Sequence, residues 1–204
     1  MGVLLTEEEH QKCKQSVSRE KKRLLAVHED GLIVLAYLSP QFDWHVFSQL
    51  LPGGKETAVL VFYPRKDVAN QGYTTFSYMK MQMVVAHGGR CAERIVFGDD
   101  ITDGGTDDLE KITKIARPDG EIIKYKWDDP HIIPADMTVE VSELFTRELT
   151  RYIDEKEELA MRGLIANRHI LDLISNELLE RSRITRLEVE DKMRGLGLPC
   201  LKIL

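Results

Sequence analysis

The clearest pattern in the chain is a long apolar run that follows a charged stretch. Residues 19–23 are all charged, whereas Gly31–Leu38 has no charged or strongly polar position. A helix that is apolar on every side belongs in a protein core. The pattern therefore predicts a buried helix here, and Ser39-Pro40 ends it because a proline disfavours helical geometry in the residue before it.

The rest of the chain alternates between short strand patterns and longer helical ones. Val59–Tyr63 is β-branched and aromatic and predicts a strand, with Thr74–Phe76 as a second, shorter candidate. Ser77–Phe97 predicts one helix, and Thr138–Arg181 predicts two helices that break near residues 163–167. The expected fold class is mostly α (α+β), with a small β-sheet and a C-terminal helical bundle.

Capping residues indicate where further helices begin. Thr106 can cap a helix that continues through Ala116. Thr185 and Glu188 form a capping box, in which the glutamate reaches back to an unpaired backbone donor, and this predicts a short last helix. Residues 121–127 predict a short strand pair.

Composition limits the class of protein. The chain has 204 residues, of which 43% are hydrophobic, so we expect one domain over residues 1–204 with halves at about 6–117 and 118–204. The net charge of −6 argues against a nucleic-acid surface, which needs a basic excess. Three widely spaced cysteines indicate a reducing compartment. No apolar run reaches the ~20 residues that cross a bilayer, and no targeting segment is recognised.

The chemically informative pair is His28-Glu29, at the start of the buried part of the first helix. In a His-Glu-x-x-His helix, two imidazoles one turn apart bind one zinc ion, and the glutamate acts as general base on the metal-bound water. The position one turn after His28 is Leu32. A hydrocarbon side chain has no lone pair, so the pattern lacks its second ligand.

Two later motifs extend this likeness. Residues 88–98 read Gly-Gly-Arg-Cys-Ala-Glu-Arg-Ile-Val-Phe-Gly, and residues 102–109 read Thr-Asp-Gly-Gly-Thr-Asp-Asp-Leu. With the helix around His28, they resemble the peptidase domain of the FtsH family of membrane-anchored AAA+ zinc proteases, in order and at family-like spacing. The resemblance spans roughly residues 15–195.

The resemblance implies roles for particular residues. It makes His28 and Asp108 two metal ligands and Glu29 the general base, all vestigial here because Leu32 stands at the remaining ligand position. No bound cofactor is expected. The resemblance then points to FtsHi-type plant plastid homologues, which have eroded zinc motifs, so we expect a structural or assembly subunit more than an enzyme.

The sequence leaves an enzymatic alternative open. An active metalloendopeptidase with an atypical zinc site would need a substitute ligand, and His45 and His87 are the candidates. For each of them, packing or an ordinary hydrogen bond is the default interpretation. Accidental motif matches in a free-standing helical domain are a third possibility.

The resemblance also implies an assembly. The expected partners are homologous FtsH or FtsHi subunits in a hexameric disk on the stromal side of a plastid (chloroplast) membrane. Membrane attachment would come only from N-terminal regions absent from this chain. The AAA+ ATPase domain would also lie outside it, because no Gly-x-x-x-x-Gly-Lys-Ser/Thr loop occurs in the sequence. In the family an edge strand pairs with the substrate backbone, so Val59–Tyr63 could contact client polypeptides.

Overall fold

A computed structural model describes residues 19–40, 42–51, 57–64, 75–99, 101–102, 105–119 and 138–194. These residues form seven helices and three short strands, which agrees with the predicted mostly α class. In chain order they are α1 (Arg19–Leu38), β1 (Trp44–Leu50), β2 (Ala58–Tyr63), α2 (Phe76–Ala86), α3 (Gly88–Phe97), α4 (Thr106–Asp119), α5 (Val139–Ala166), α6 (Arg168–Arg181), β3 (Arg183–Thr185) and α7 (Arg186–Arg194).

Helix α1 is the centre of the core, as its apolar sequence predicts. Ile33 and Leu35 are fully buried, and they belong to the same cluster as Leu171 and Ile174 of α6. The helix packs against α3, α5 and α6. Burying one such aliphatic side chain contributes ~1.5–3 kcal/mol, so the buried residues of α1 add substantially to the stability of the core.

Helices α1 and α3 approach each other at glycines. A Cβ atom built on Gly31 would lie 2.1 Å from the carbonyl oxygen of Gly88, and one built on Gly88 would lie 2.6 Å from the carbonyl oxygen of Gly31. No side chain fits between the two backbones at this point. The close approach lets Ala92 and Cys91 of α3 become fully buried.

The three strands form one antiparallel sheet in the order β2-β1-β3. The predicted strand at 59–63 is confirmed as β2, whereas β1 and β3 were not predicted. Ser48 and Gln49 interrupt the apolar pattern of β1, and β3 has only three residues. A bulge shifts the β1–β2 register between His45 and Phe47.

Two predictions about the middle of the chain are wrong. The candidate strand Thr74–Phe76 is contradicted at its described residues, because Phe76 begins a helix and the Thr75 hydroxyl accepts a hydrogen bond from the Tyr78 backbone N–H at 3.2 Å. The single helix predicted at Ser77–Phe97 is two helices that meet at His87. Glycines 88 and 89 are poor helix formers, and this is where a helix changes direction most easily.

The later helices agree with their predicted ends. The break between α5 and α6 falls at Asn167, whose side-chain amide donates to the Gly163 carbonyl oxygen at 2.8 Å. Glu188 accepts hydrogen bonds from both the backbone N–H and the hydroxyl of Thr185, at 2.7 Å each, and α7 follows. The predicted strand pair at 121–127 lies outside the described residues. Among the described helices, none is both long and apolar enough to cross a bilayer.

Gly31→Ala tests the close approach of α1 and α3. The added methyl group would lie 2.1 Å from the Gly88 carbonyl oxygen and 2.6 Å from the Ala92 Cβ, so the helices must separate. We expect a loss of about 3 kcal/mol and a melting temperature lower by roughly 6–12 °C. Gly105→Ala is the control, because its nearest neighbour, His28 Cε1, is 3.7 Å away. Equal melting temperatures for the two variants would contradict the interpretation.

Candidate functional site

The His28 imidazole lies buried between two carboxylates. Its Nδ1 is 2.7 Å from Oε1 of Glu93 on α3, and its Nε2 is 3.3 Å from Oδ2 of Asp108 on α4. The structure thus brings together His28 and Asp108, which are 80 residues apart in sequence. Their assignment as vestigial metal ligands stays a prediction.

Gly89 makes room for the His28 ring. A Cβ atom at this position would lie 2.3 to 2.6 Å from three atoms of the imidazole. Any other residue at this position would force the ring or the helix to move. The second glycine of the Gly-Gly-Arg segment therefore shapes the site, although the sequence analysis used it only as a family signal.

Glu93 is a site residue that the sequence analysis did not single out. Its side chain is buried, and Oε2 accepts from the Thr102 backbone N–H at 2.7 Å. Oε1 also accepts from the Thr102 hydroxyl at 3.0 Å. A carboxylate commonly supports the second ring nitrogen of a ligand histidine. The signal that could have identified Glu93 in the sequence is its position as an acidic residue in the segment that begins Gly-Gly-Arg.

The three side chains shift one another's pKa values. Burial lowers the pKa of His28, but the hydrogen bonds to Asp108 and Glu93 outweigh it and raise the pKa overall. Burial alone would raise the pKa values of Glu93 and Asp108, yet the hydrogen bonds from His28 hold both below their usual values. Asp108 also accepts from the Lys111 ammonium at 3.0 Å. The described contacts therefore favour an imidazolium between two carboxylates.

A cavity of about 580 Å³ lies beside these groups, and we call it the β2 cavity. It is lined by His28, Glu29 and Leu32 of α1, Phe42, Thr57, Ala58, Leu60 and Phe62 on and beside β2, Gln82, Val85 and Ala86 of α2, and Asp107, Asp108, Lys111 and Ile115 of α4. Within the described structure, Oε2 of Glu29 is buried with no hydrogen-bond partner. Burial raises the pKa of the Glu29 carboxyl to about 7, although the nearby His28 opposes the shift.

Two of the described side chains at this site have the spacing of zinc ligands. The 3.3 Å between His28 Nε2 and Asp108 Oδ2 matches the spacing of about 3.3 Å between two ligands of tetrahedral zinc at ~2.0–2.1 Å. Leu32 lies on the same cavity wall one helical turn after His28 and offers no donor. The described residues contain no group of three His, Cys, Asp or Glu side chains placed to hold a metal ion.

The two histidines considered as substitute ligands lie elsewhere. His45 is buried on β1, with Nε2 2.8 Å from the Ser48 hydroxyl and its ring edge-on to Tyr37 and Phe62. His87 is buried at the α2–α3 junction, and within the described residues neither ring nitrogen has a hydrogen-bond partner. Neither histidine lines the β2 cavity.

A second acid on α1 faces away from this site. Asp30 is fully buried, and its Oδ2 accepts from the Ser175 hydroxyl of α6 at 2.6 Å. Burial raises the pKa of this carboxyl well above its usual value. The contact links α1 to α6, so the His-Glu-Asp run of the sequence serves two sides of one helix.

Fold and site together define a metallopeptidase-like domain. A buried helix carries the His-Glu pair, an aspartate from a later helix meets the histidine, and a strand lines the adjoining cavity. Residues 15–125, more than half of the chain, match the family model described as Peptidase family M41. The chain belongs to this family, and it is an FtsH-type peptidase domain.

Curated relatives carry FtsH names. The chain is 70% identical to ATP-dependent zinc metalloprotease FTSH 12, chloroplastic, of Arabidopsis thaliana, in an alignment covering 97% of this chain and 22% of that protein. It is 26% identical to ATP-dependent zinc metalloprotease FtsH 3 of Synechocystis, over 88% of this chain and 32% of the relative. FTSH 5, chloroplastic, of Arabidopsis is 37% identical over 50% of this chain and 14% of its own length. The chain thus spans a third or less of each of these relatives.

His45 should make folding stability fall in mild acid. Burial, helped by the charge of Arg186, lowers its pKa from 6.5 to about 4, so between these values the unfolded chain binds more protons. The free energy of unfolding should therefore decrease by about 2–3 kcal/mol as the pH falls through this window. His45→Gln should remove that part of the decrease, measured by urea unfolding at several pH values. Ser48→Ala keeps the imidazole and should keep the decrease. A His45→Gln profile parallel to wild type would contradict the assignment.

Proposed function

We propose that this chain is a degenerate peptidase domain that does not hydrolyse peptide bonds and serves as a structural subunit of an FtsH-type complex. The observation that carries the proposal is Leu32, which lines the cavity one helical turn after His28. A catalytic zinc site needs three protein ligands and one open position. Here His28 and Asp108 offer two, and the loss of the third greatly weakens metal affinity.

The remaining groups lose their catalytic purpose without the metal. We propose that Glu29 is a vestigial general base, and that His28 and Asp108 are vestigial ligands. An activated water near neutral pH is not expected from these groups. Neither His45 nor His87 lines the β2 cavity, which argues against the rival proposal of an active metalloendopeptidase built on one of these histidines.

The relatives' names suggest the cellular setting. Several are named chloroplastic and all of those cited are named ATP-dependent, so we place this chain in a plastid. The ATP-driven domain would lie outside residues 1–204, and homologous subunits would complete a hexamer on the stromal side of a membrane. Residues 6–117 would hold the eroded centre and residues 118–204 the helical part.

Metal analysis tests this proposal most directly. Purified protein should carry far less than one zinc per chain and should leave unfolded casein intact. The measurements are elemental analysis and a casein degradation assay with and without chelator. Stoichiometric zinc together with chelator-sensitive degradation would overturn the proposal.

The Leu32→His variant distinguishes the two proposals more sharply than metal analysis of the native chain. His28 Nε2 and Asp108 Oδ2 already have the ligand spacing, so a histidine on the same face should complete the site and raise zinc content towards one per chain. Added zinc should then raise the melting temperature of the variant. Leu60→His is the matched control, because it places an imidazole in the same cavity from β2. If the native chain already held zinc through an atypical ligand, Leu32→His would change little.

A second candidate function is contact with extended polypeptides. β2 is an edge strand of the described sheet, and its alternate residues Ala58, Leu60 and Phe62 line the β2 cavity. An exposed strand edge beside side-chain pockets is suited to strand addition. We propose that such contact with client polypeptides or partners persists without cleavage.

Leu60→Asp tests this second candidate. A charge in the apolar wall beside β2 should weaken binding of a fluorescently labelled unfolded casein about tenfold, measured by anisotropy. Tyr63→Asp is the control, because Tyr63 is exposed on the same strand and does not line the cavity. Equal binding by both variants would remove the cavity from the contact.

A further inference from the structure

We propose that His28, Glu93 and Asp108 form a metal-independent clasp that holds α4 against α1 and α3. The proposal rests on the proposed function, because it assigns to a zinc-free site a role that zinc ligands would otherwise have. It goes further by giving residues that would be remnants a present structural function.

The clasp connects three helices through one side chain. His28 of α1 contacts Glu93 of α3 through Nδ1 at 2.7 Å and Asp108 of α4 through Nε2 at 3.3 Å. All three residues are buried. Each ring nitrogen of His28 thus has its own carboxylate partner, so one imidazole links the three helices.

The His28–Glu93 and His28–Asp108 contacts contribute differently to the packing of the helices. Helices α1 and α3 already meet at Gly31 and Gly88, so the His28–Glu93 contact only adds to an approach that backbone packing fixes. Helix α4 packs mainly against α2 and α5. The His28–Asp108 contact therefore joins α4 directly to the core helix α1, and it sets the position of the α4 wall of the β2 cavity.

Each carboxylate also has His28 as one of its hydrogen-bond partners. Without His28, Glu93 keeps its hydrogen bonds from Thr102, whereas among the described contacts Asp108 keeps the one from Lys111. Leaving a buried carboxylate without a hydrogen-bond donor costs more free energy than the net amount the hydrogen bond contributed. Removing His28 alone should therefore be more harmful than removing His28 and Asp108 together.

A double-mutant cycle on the full chain tests the clasp. The variants are His28→Leu, Asp108→Ala and the pair, unfolded by urea after chelator treatment. We expect the pair to have an unfolding equilibrium constant at least tenfold closer to wild type than the product of the two single effects. Additive effects would overturn the clasp.

Amide hydrogen exchange on conservative variants tests the clasp even if the variants of the cycle fold poorly. The conservative Asp108→Asn should increase exchange in α4 and leave α3 unchanged, because the glycine contact holds α3. Asp107→Asn is the matched control, since Asp107 is an exposed neighbour on α4. Equal exchange in α4 for the two variants would contradict the clasp.

The two proposals fail in different ways. Stoichiometric zinc in the purified protein would end the proposed function, while coupling that persists after chelation would still support the clasp. A zinc-free protein with additive effects would end the clasp and leave the proposed function standing.

Discussion

The structure depends above all on the contact between two helix backbones. Gly31 of α1 and Gly88 of α3 approach so closely that neither position has room for a Cβ atom. This contact brings the ring of His28 onto Gly89 and places Glu93 within hydrogen-bond distance of it. The apolar residues of α1 then pack against α5 and α6 and complete the core. The candidate site is thus a consequence of how the core helix is packed.

The same geometry explains how the proposed non-hydrolysing site keeps its shape. Packing against Gly89 and a hydrogen bond to Glu93 hold His28 in place, and neither needs a metal ion. Asp108 lies 3.3 Å from the other ring nitrogen of His28. Because buried polar groups are stable when each has a partner, these residues have a structural reason to remain. Leu32, by contrast, contributes an apolar wall where a ligand would be required.

The edge of the sheet lies beside the cavity, an arrangement suited to binding a polypeptide. The edge strand β2, the His28 site and α4 surround one cavity, so a polypeptide paired with β2 would pass beside Glu29 and Asp108. Membership of Peptidase family M41 and the likeness to chloroplastic FtsH proteins agree with this arrangement. The proposal of a non-hydrolysing subunit rests on one position of this site, Leu32.

The sequence by itself determined the buried helix α1, strand β2, a helix break near residues 163–167, the capping box at Thr185 and the leucine one helical turn after His28. These features depend on local periodicity, capping chemistry or a spacing of four residues. Tertiary structure alone decided that β1 and β3 pair despite weak patterns and that Glu93 supports His28, 65 residues earlier in the chain. Such contacts join residues far apart in the chain, and no local pattern encodes which distant group will arrive. The packing of α1, α3 and α4 decides it.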